Sequence, residues 1–514
     1  MKRKSSQKCV LPGKVLVLSL LILNIWIINY NYINFVDSDD ASELILARQL
    51  VSEGNIISQN WYYSTELRVL NTQLVYMFLF LFTSSFKLVR ILGQTVLSCL
   101  LLASYYFGLY SIDKDKAGVR FWKTAFLLLI PAGRRGKPWI FLAMKGYYVP
   151  HICISFLALG MICHMIKSHG RTKRWMAAGI ILGFLSGLGG IRSLQLTYLP
   201  LVMSVVWMFW NTLTGSGWEE AKCILRKTEG VFLCALSALA GYLVNDIYLK
   251  TIYHFQSFGE TLYNPLTMTA VETTVREYLK TMGYIEWEKM FSFKGIGNAL
   301  ACAFALLFLF SLPKVYRGMK KCKLVEQMVF SYALLSFAFN IFTCIITNNI
   351  LSRYIMASIV PSIYFLILLE SSSIYRKLEW SICGTILLTG IIGYLEAAEV
   401  VINEDKLNAI QYIEDHGNSY GYATFWNANV ITELLDGQIS FRNLEYNSDT
   451  GTLTESNWLE PVEDIPPDEP VIGIFEKYEI EKVDFYAQQT VYEDETFIIL
   501  EFASRVEAEM MLGL

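Results

Sequence analysis

The sequence predicts a polytopic α-helical membrane bundle with a small α/β domain at its C-terminal end. Three observations predict it. Of 514 residues, 54% are hydrophobic and only 17% charged, against about 45–50% and about 25% in soluble chains. Apolar stretches recur from residue 14 to residue 398, most of them long enough for a hydrocarbon core roughly 30 Å thick. Beyond residue 400 the chain turns acidic, and Gly, Asn and Pro punctuate alternating helix and strand patterns. A net charge of −3 offers no basic surface to a nucleic acid. The cysteines fall mostly inside apolar stretches without CxxC or Cys/His spacing, as small buried hydrophobes do.

Taken in order, Lys2, Arg3, Lys4 and Lys8 precede an apolar run at 15–28. No small-x-small cleavage site follows, so the expectation is an uncleaved first span at 14–33 with its basic end in the cytoplasm. Asp37-Ser38-Asp39-Asp40 comes next, three carboxylates in four residues where the chain leaves the bilayer. From Ala41 to Glu53 the apolar positions recur at helical spacing, predicting an amphipathic helix lying at the interface. Gly54-Asn55 stops it, and Trp61, Tyr62 and Tyr63 read as an interfacial aromatic belt.

Residues 72–86 are apolar but short. Further spans are predicted at 88–110, 119–131, 148–166, 175–191, 194–211, 230–249, 294–313, 326–346, 350–370 and 379–398. With 72–86 counted as a helix packed at the outer surface, the loops holding Lys114 and Lys116, Lys222 to Lys227, and Lys314 to Lys323 all face the cytoplasm. That gives about eleven spans, the N-terminus inside and the tail outside. A membrane domain at 1–399 would display outer segments at 34–87, 132–147 and 250–293, and 400–514 would form the outer domain. In it, helices are expected at Leu407–Glu414 and Asn427–Leu435. Strands are expected at Tyr420–Phe425, Ile439–Leu444, 471–475 and 496–501.

A carboxylate at an outer membrane edge can deprotonate a hydroxyl or amine, or help hold a divalent metal. Acids at that position also suit a helix N-terminus, with Asp39 or Asp40 as cap. Both uses stay open on spacing alone.

The run Asp39-Asp40, Leu46-Ala47-Arg48, Leu50 and Gly54-Asn55 resembles the first outer loop of GT-C membrane glycosyltransferases, nearest the lipid A aminoarabinose transferase and protein O-mannosyltransferase branches. The resemblance implies a GT-C-like bundle, a polyprenyl-phosphate sugar donor and catalysis by the first acid of the pair, which is Asp39. Asp40 stands at the family's Glu position. Glu43 replaces the family's Tyr, and Asn55-Ile56 its Asp-Trp. No acid lies between Pro131 and Pro150, where relatives place a second one. His151 stands nearby, and Asp37 is the other candidate.

Two arginines fall at predicted outer edges: Arg192 after Gly189-Gly190, and Arg353 after Asn348-Asn349. A charge at that depth needs a partner, and a planar guanidinium fork suits phosphate. The basic outer segment ends in Lys145, Tyr147 and His151, following Arg134, Arg135 and Lys137, and suits an anionic head group. Gly183 and Gly187 read as close-packing positions, His164 as solvated, and Trp426 as a core residue.

The expected activity is transfer of a sugar from a polyprenyl-phosphate donor to a glycan, lipid or protein acceptor of the cell envelope, with inversion. No cofactor is needed, and no divalent metal where basic side chains neutralise the phosphate. A lipid transporter or flippase is the rival reading. It is disfavoured because the ionisable residues cluster at the outer edge rather than mid-membrane. A polysaccharide polymerase or ligase is the second rival.

Overall fold

The computed structural model describes residues 2–130, 142, 145–168, 173–256, 266–286, 289, 292–347, 350–369, 373–399, 401, 403–462, 469–480 and 489–514. Arg134, Arg135, Lys137, Asn348 and Asn349 lie outside the described residues. The chain divides into two compact units. One comprises Met1–Trp26, Gln94–Tyr248 and Gly259–Glu399; the other comprises Ile27–Gly93, Leu249–Phe258 and Val400–Leu514.

Among the described residues, eight helices are long and apolar enough to cross a membrane. They are Leu11–Tyr30, Phe86–Ile112, Val149–Lys167, Ile191–Ser216, Trp218–Thr251, Gly295–Met319, Leu324–Thr347 and Lys377–Ala398. Three other expected spans take different forms. Residues 119–131 begin inside the amphipathic helix Lys114–Thr124 and continue into a 3₁₀ turn, Ala125–Leu128. The helix Lys173–Leu188 has 16 residues, roughly 24 Å of rise against a core of about 30 Å. Ser352–Leu368 is interrupted at Val360–Tyr364 by a 3₁₀ turn containing Pro361, which has no N–H to continue an α-helix.

In the first unit, the glycines of Lys173–Leu188 let it lie directly on Trp218–Ile247. A Cβ on Gly187 would sit 2.0 Å from the Ala238 carbonyl oxygen, and one on Gly241 would sit 2.2 Å from that of Phe184. Small residues buy this close backbone approach where lipid supplies no hydrophobic drive. The Tyr394 hydroxyl donates to Asn24 Oδ1 at 2.6 Å, and Asn24 Nδ2 donates to the Leu129 carbonyl at 3.1 Å, closing a polar tie among three apolar segments.

In the second unit, β1 (Tyr62–Tyr63) pairs in parallel with β2 (His254–Phe255). The tail builds a six-stranded sheet from β3 (Tyr420–Thr424), β4 (Ser440–Asn447), β5 (Thr452–Glu455), β6 (Val471–Glu476), β7 (Thr490–Glu493) and β8 (Phe497–Phe502). Its order is β5-β4-β3-β6-β8-β7, with the central β4-β3-β6 pairings parallel and the outer ones antiparallel. One face carries Ile410, Ile413, Ile431, Ile472 and Ile499, and the other Tyr422, Val471, Phe475, Leu500 and Phe502. Burial on both faces explains why β3 and β6 read as continuous apolar runs rather than alternating ones. Helices Leu407–His416 and Phe425–Leu434 and the four expected strands stand where the pattern puts them. The short strands β5 and β7 and the helix Arg505–Leu512 were not anticipated.

Two expectations for the first outer loop are corrected, and a third, that 72–86 does not span, agrees with the structure. The helix Ser38–Glu53 does not lie one-sided at an interface: Asp40, Ala41, Ser42, Glu43, Leu44, Leu46, Ala47 and Leu50 are all buried. It is packed within the second unit by the helices Gln73–Phe80 and Phe425–Leu434. Trp61 and Tyr63 form no belt but are buried with Leu46, Leu50, Phe425 and Leu459. Residues 72–86 hold the eight-residue helix Gln73–Phe80, too short to cross a bilayer.

Candidate functional site

The three acids of the first loop take three different positions. Asp37 is the N-cap, and its Oδ1 accepts the Asp40 N–H at 3.0 Å. Capping therefore falls on Asp37, not on Asp39 or Asp40 as the spacing suggested. Asp40 is buried, and its carboxylate acts electrostatically on Arg90 and Tyr76. Asp39 is half-buried in the first helical turn, and its backbone carbonyl accepts the Ser42 hydroxyl at 2.7 Å.

One buried ion pair holds this helix, and a second joins Arg90 to Glu433. The Arg68 guanidinium reaches Glu43 Oε1 at 2.8 Å, and the Thr72 hydroxyl donates to Glu43 Oε2 at 2.9 Å. Glu43, which replaces the family's Tyr, is thus a structural anion. Arg90 meets Glu433 with two N–H donors, Nε to Oε1 at 2.6 Å, while the Tyr32 hydroxyl donates to the same oxygen at 2.8 Å. Burial pushes the Tyr76 phenol above its ordinary range, with the Arg90 guanidinium pulling the other way. A pair this deep holds only because nearly every lone pair and proton finds a partner.

The rest of the acidic motif is explained residue by residue. Leu46, Ala47 and Leu50 are core. Arg48 Nη1 donates to the Asp436 carbonyl at 2.6 Å, and the Asp436 carboxylate accepts the Phe86 N–H at 2.7 Å. Gly54, at φ 65°, closes the helix with its N–H on the Leu50 and Val51 carbonyls, the left-handed stop that glycine favours. The Ser38 hydroxyl donates to the Phe425 carbonyl, tying the acidic turn to the strand-to-helix junction after β3.

The two candidate arginines come together in the first unit. The Arg192 guanidinium carbon lies 5.6 Å from the Tyr148 ring centroid and 5.9 Å from that of Tyr354. Arg353 lies 5.7 Å from the same Tyr354 ring. Cation–π contact at this range is attractive. Tyr147 and His151 join through Tyr148, with ring centroids 5.2 and 6.4 Å from it. Lys145 precedes them, half-buried, on the loop that Gly146 turns at φ 75°.

A π-helical segment, Leu194–Tyr198, begins two residues after Arg192. The Leu196 carbonyl accepts the Tyr332 hydroxyl at 3.1 Å and the Ser336 hydroxyl at 3.3 Å. Asn340 accepts from Gln195 and donates to the Tyr354 carbonyl at 2.9 Å. A widened turn braced by polar side chains is common beside functional sites.

Searches against family models and curated proteins find no match to this chain. Solved structures do match. ArnT from Cupriavidus metallidurans bound to undecaprenyl phosphate superposes with a TM-score of 0.52 at 11% identity, over 95% of this chain and 97% of that one. The same protein in the apo state gives 0.53 at 10% identity, over 91% and 93%. An oligosaccharyltransferase from Archaeoglobus fulgidus gives 0.47 at 14% identity, over 91% and 69%. The chain has the GT-C fold. The ArnT superpositions cover almost the whole length, tail included, far beyond the seventeen residues from Asp39 to Asn55 that carry the sequence resemblance.

Within the GT-C fold two aromatic readings change. Trp426 is 60% exposed at the start of Phe425–Leu434 rather than in the core, because Phe425 takes the inward place against Trp458 at 4.4 Å. His164 is not simply solvated but stacks on Trp175 at 4.6 Å. Arg68, Arg90 and Glu433 were missed in the sequence. For Arg90 a signal existed, since it stands inside the predicted span 88–110, where a charge demands a partner. Among the described residues no group of three or more His, Cys, Asp or Glu is placed to hold a metal ion.

Proposed function

We propose that the chain is an integral membrane glycosyltransferase that moves a sugar from a polyprenyl-phosphate donor to a cell-envelope acceptor at the outer face. The observation that carries this reading is the sorting of the three acids. Capping belongs to Asp37 and the buried charge network to Asp40. Asp39, the residue that the GT-C resemblance marks, is half-buried in the first turn of the same helix. In this reading its carboxylate takes the proton of the acceptor hydroxyl or amine as that group attacks the anomeric carbon. The bond to the donor phosphate breaks in the same displacement, and the configuration inverts.

The phosphate leaves as an anion and needs cationic donors. Arg192 and Arg353 supply them in this reading, gathered as they are on the Tyr354 ring. A planar guanidinium fork matches the oxygens of a phosphate. The undecaprenyl phosphate bound to ArnT, the structural neighbour, supports the same donor class. The N-terminus is cytoplasmic and the tail outside, as the basic loops require.

Purified protein given a radiolabelled polyprenyl-phosphate sugar and a cell-envelope extract should move label into the extract. Transport of the intact lipid in proteoliposomes without bond cleavage would replace this reading by the flippase one.

A further inference from the structure

The first unit holds a second polar site, far from the arginines. It is an open cavity of about 530 Å³. Trp207, Met208 and Ile224 form apolar wall, and Lys227, Lys320 and Glu220 bring charge to it. Its place follows from the helices that line it. Ile191–Ser216 carries Arg192 in its first turn and reaches the cavity with Trp207, Met208 and Ser216. Its 26 residues rise roughly 39 Å. Leu324–Thr347 repeats the relation: Leu324 lines the cavity, and Thr347 ends a few residues before Arg353. The cavity therefore opens at the other end of these helices, about one bilayer thickness away, at head-group depth.

Its surroundings select for negative charge. Lys227 is half-buried, and the Lys320 ammonium sits 4.9 Å over the Tyr316 ring, which in turn lies 5.9 Å from that of Trp207. Arg317, Lys321 and Lys323 flank Lys320 in sequence, and Lys222 and Arg226 precede Lys227, outnumbering the acids Glu219, Glu229 and Glu326 of the same stretches. Glu220 is the acidic side chain that lines the cavity. Apolar wall beside two lysine ammonium groups fits a ligand with an anionic head and an apolar body.

We propose that this cavity binds a net-anionic phosphate ester, with the phosphate between Lys227 and Lys320 and the apolar portion against Trp207, Met208 and Ile224. The depth of the cavity makes a membrane phospholipid the source. The site is distinct from that of Arg192 and Arg353, and binding here needs no transferase activity.

The test uses the full-length protein in mild detergent, titrated separately with dioctanoyl phosphatidylglycerol, dioctanoyl phosphatidylcholine and inorganic phosphate. Thermal shift and native mass spectrometry are the readouts. Phosphatidylglycerol should bind and stabilise, and phosphatidylcholine should not. Lys227→Gln with Lys320→Gln should weaken phosphatidylglycerol about 30-fold, the loss expected for two lysines near an anionic surface. Glu220→Gln should tighten it about 5-fold on the same scale, an effect that misfolding cannot produce. Lysine-dependent binding of inorganic phosphate without the lipid would keep the phosphate chemistry and move its source to the aqueous phase. Equal response to both lipids, or no change in the lysine variants, overturns the proposal.

Discussion

Replacing Asp39 by Asn separates a general base from a structural acid, because the structure has removed the obvious structural alternative. The cap of Ser38–Glu53 is Asp37, so Asn at 39 leaves the 3.0 Å contact from the Asp40 N–H intact. Asp39 is half-buried, and Asn is nearly isosteric with it. The unfolding free energy of Asp39→Asn should therefore stay within about 0.5 kcal/mol of wild type, as for surface substitutions. Turnover should fall about 10²–10⁴-fold, the range for a positioned acid or base, which raises the barrier by about 2.7–5.4 kcal/mol.

The controls have different signatures. Asp37→Asn keeps a good cap acceptor and should cost only a few tenths of a kcal/mol. Asp40→Asn removes a buried charge that acts on Arg90, while the Arg90–Glu433 pair persists. It should lower stability by about 1–3 kcal/mol, while the folded fraction keeps its turnover. The assay is transfer of radiolabelled sugar, normalised to folded protein by size-exclusion chromatography. Full turnover in Asp39→Asn refutes the reasoning. A loss of turnover matched by an equal loss of folded protein refutes it too, since the role would then be structural.

Other outcomes follow from the same geometry. Arg353→Ala should cost about 2–4 kcal/mol in transition-state stabilisation, read as kcat/KM, and Arg353→Lys less, because a charge remains without the fork; equal activity in all three removes Arg353 from the site. Glu433→Ala leaves Arg90 buried without its main partner and should destabilise the protein by about 3–5 kcal/mol, measured as lost Tm or yield. Burial raises the Glu479 carboxyl from 4.5 to about 7. A raised folded value means its stabilising contribution is complete below the unfolded value and is lost as pH rises through about 7. Wild type should lose on the order of 3 kcal/mol between pH 4.5 and 8 that Glu479→Gln does not lose, and parallel curves of Tm against pH would contradict this. Trp426→Ala, at a 60% exposed position, should change stability by no more than about 0.5 kcal/mol; a loss of several kcal/mol would return it to the core.

What was legible in the sequence was set by the range of the interaction that each feature depends on. Long apolar runs declare themselves locally, and so do caps: Asp37 before the helix and Gly54 after it lie within a turn of what they satisfy. The tail's main strands and helices were readable for the same reason. The partners of the acidic loop were not. Arg90 and Glu433 are 343 residues apart, Tyr32 and Glu433 are 401 apart, and Ser38 reaches the Phe425 carbonyl across 387. No periodicity encodes such contacts. Their absence from the pattern turned a helix buried on nearly all sides into an apparent interfacial one. The hydrophobic spacing of Leu44, Ala47 and Leu50 was read correctly; it does not show that Asp40 and Glu43 are buried beside them, since an isolated carboxylate belongs in water. Buried arginines reverse that inference, and Arg90 was the visible hint. Asp39 stands apart from its neighbours on the same ground. Asp37 caps the helix and Asp40 is buried in it, whereas Asp39 is half-buried in the same first turn, and its role is what Asp39→Asn decides.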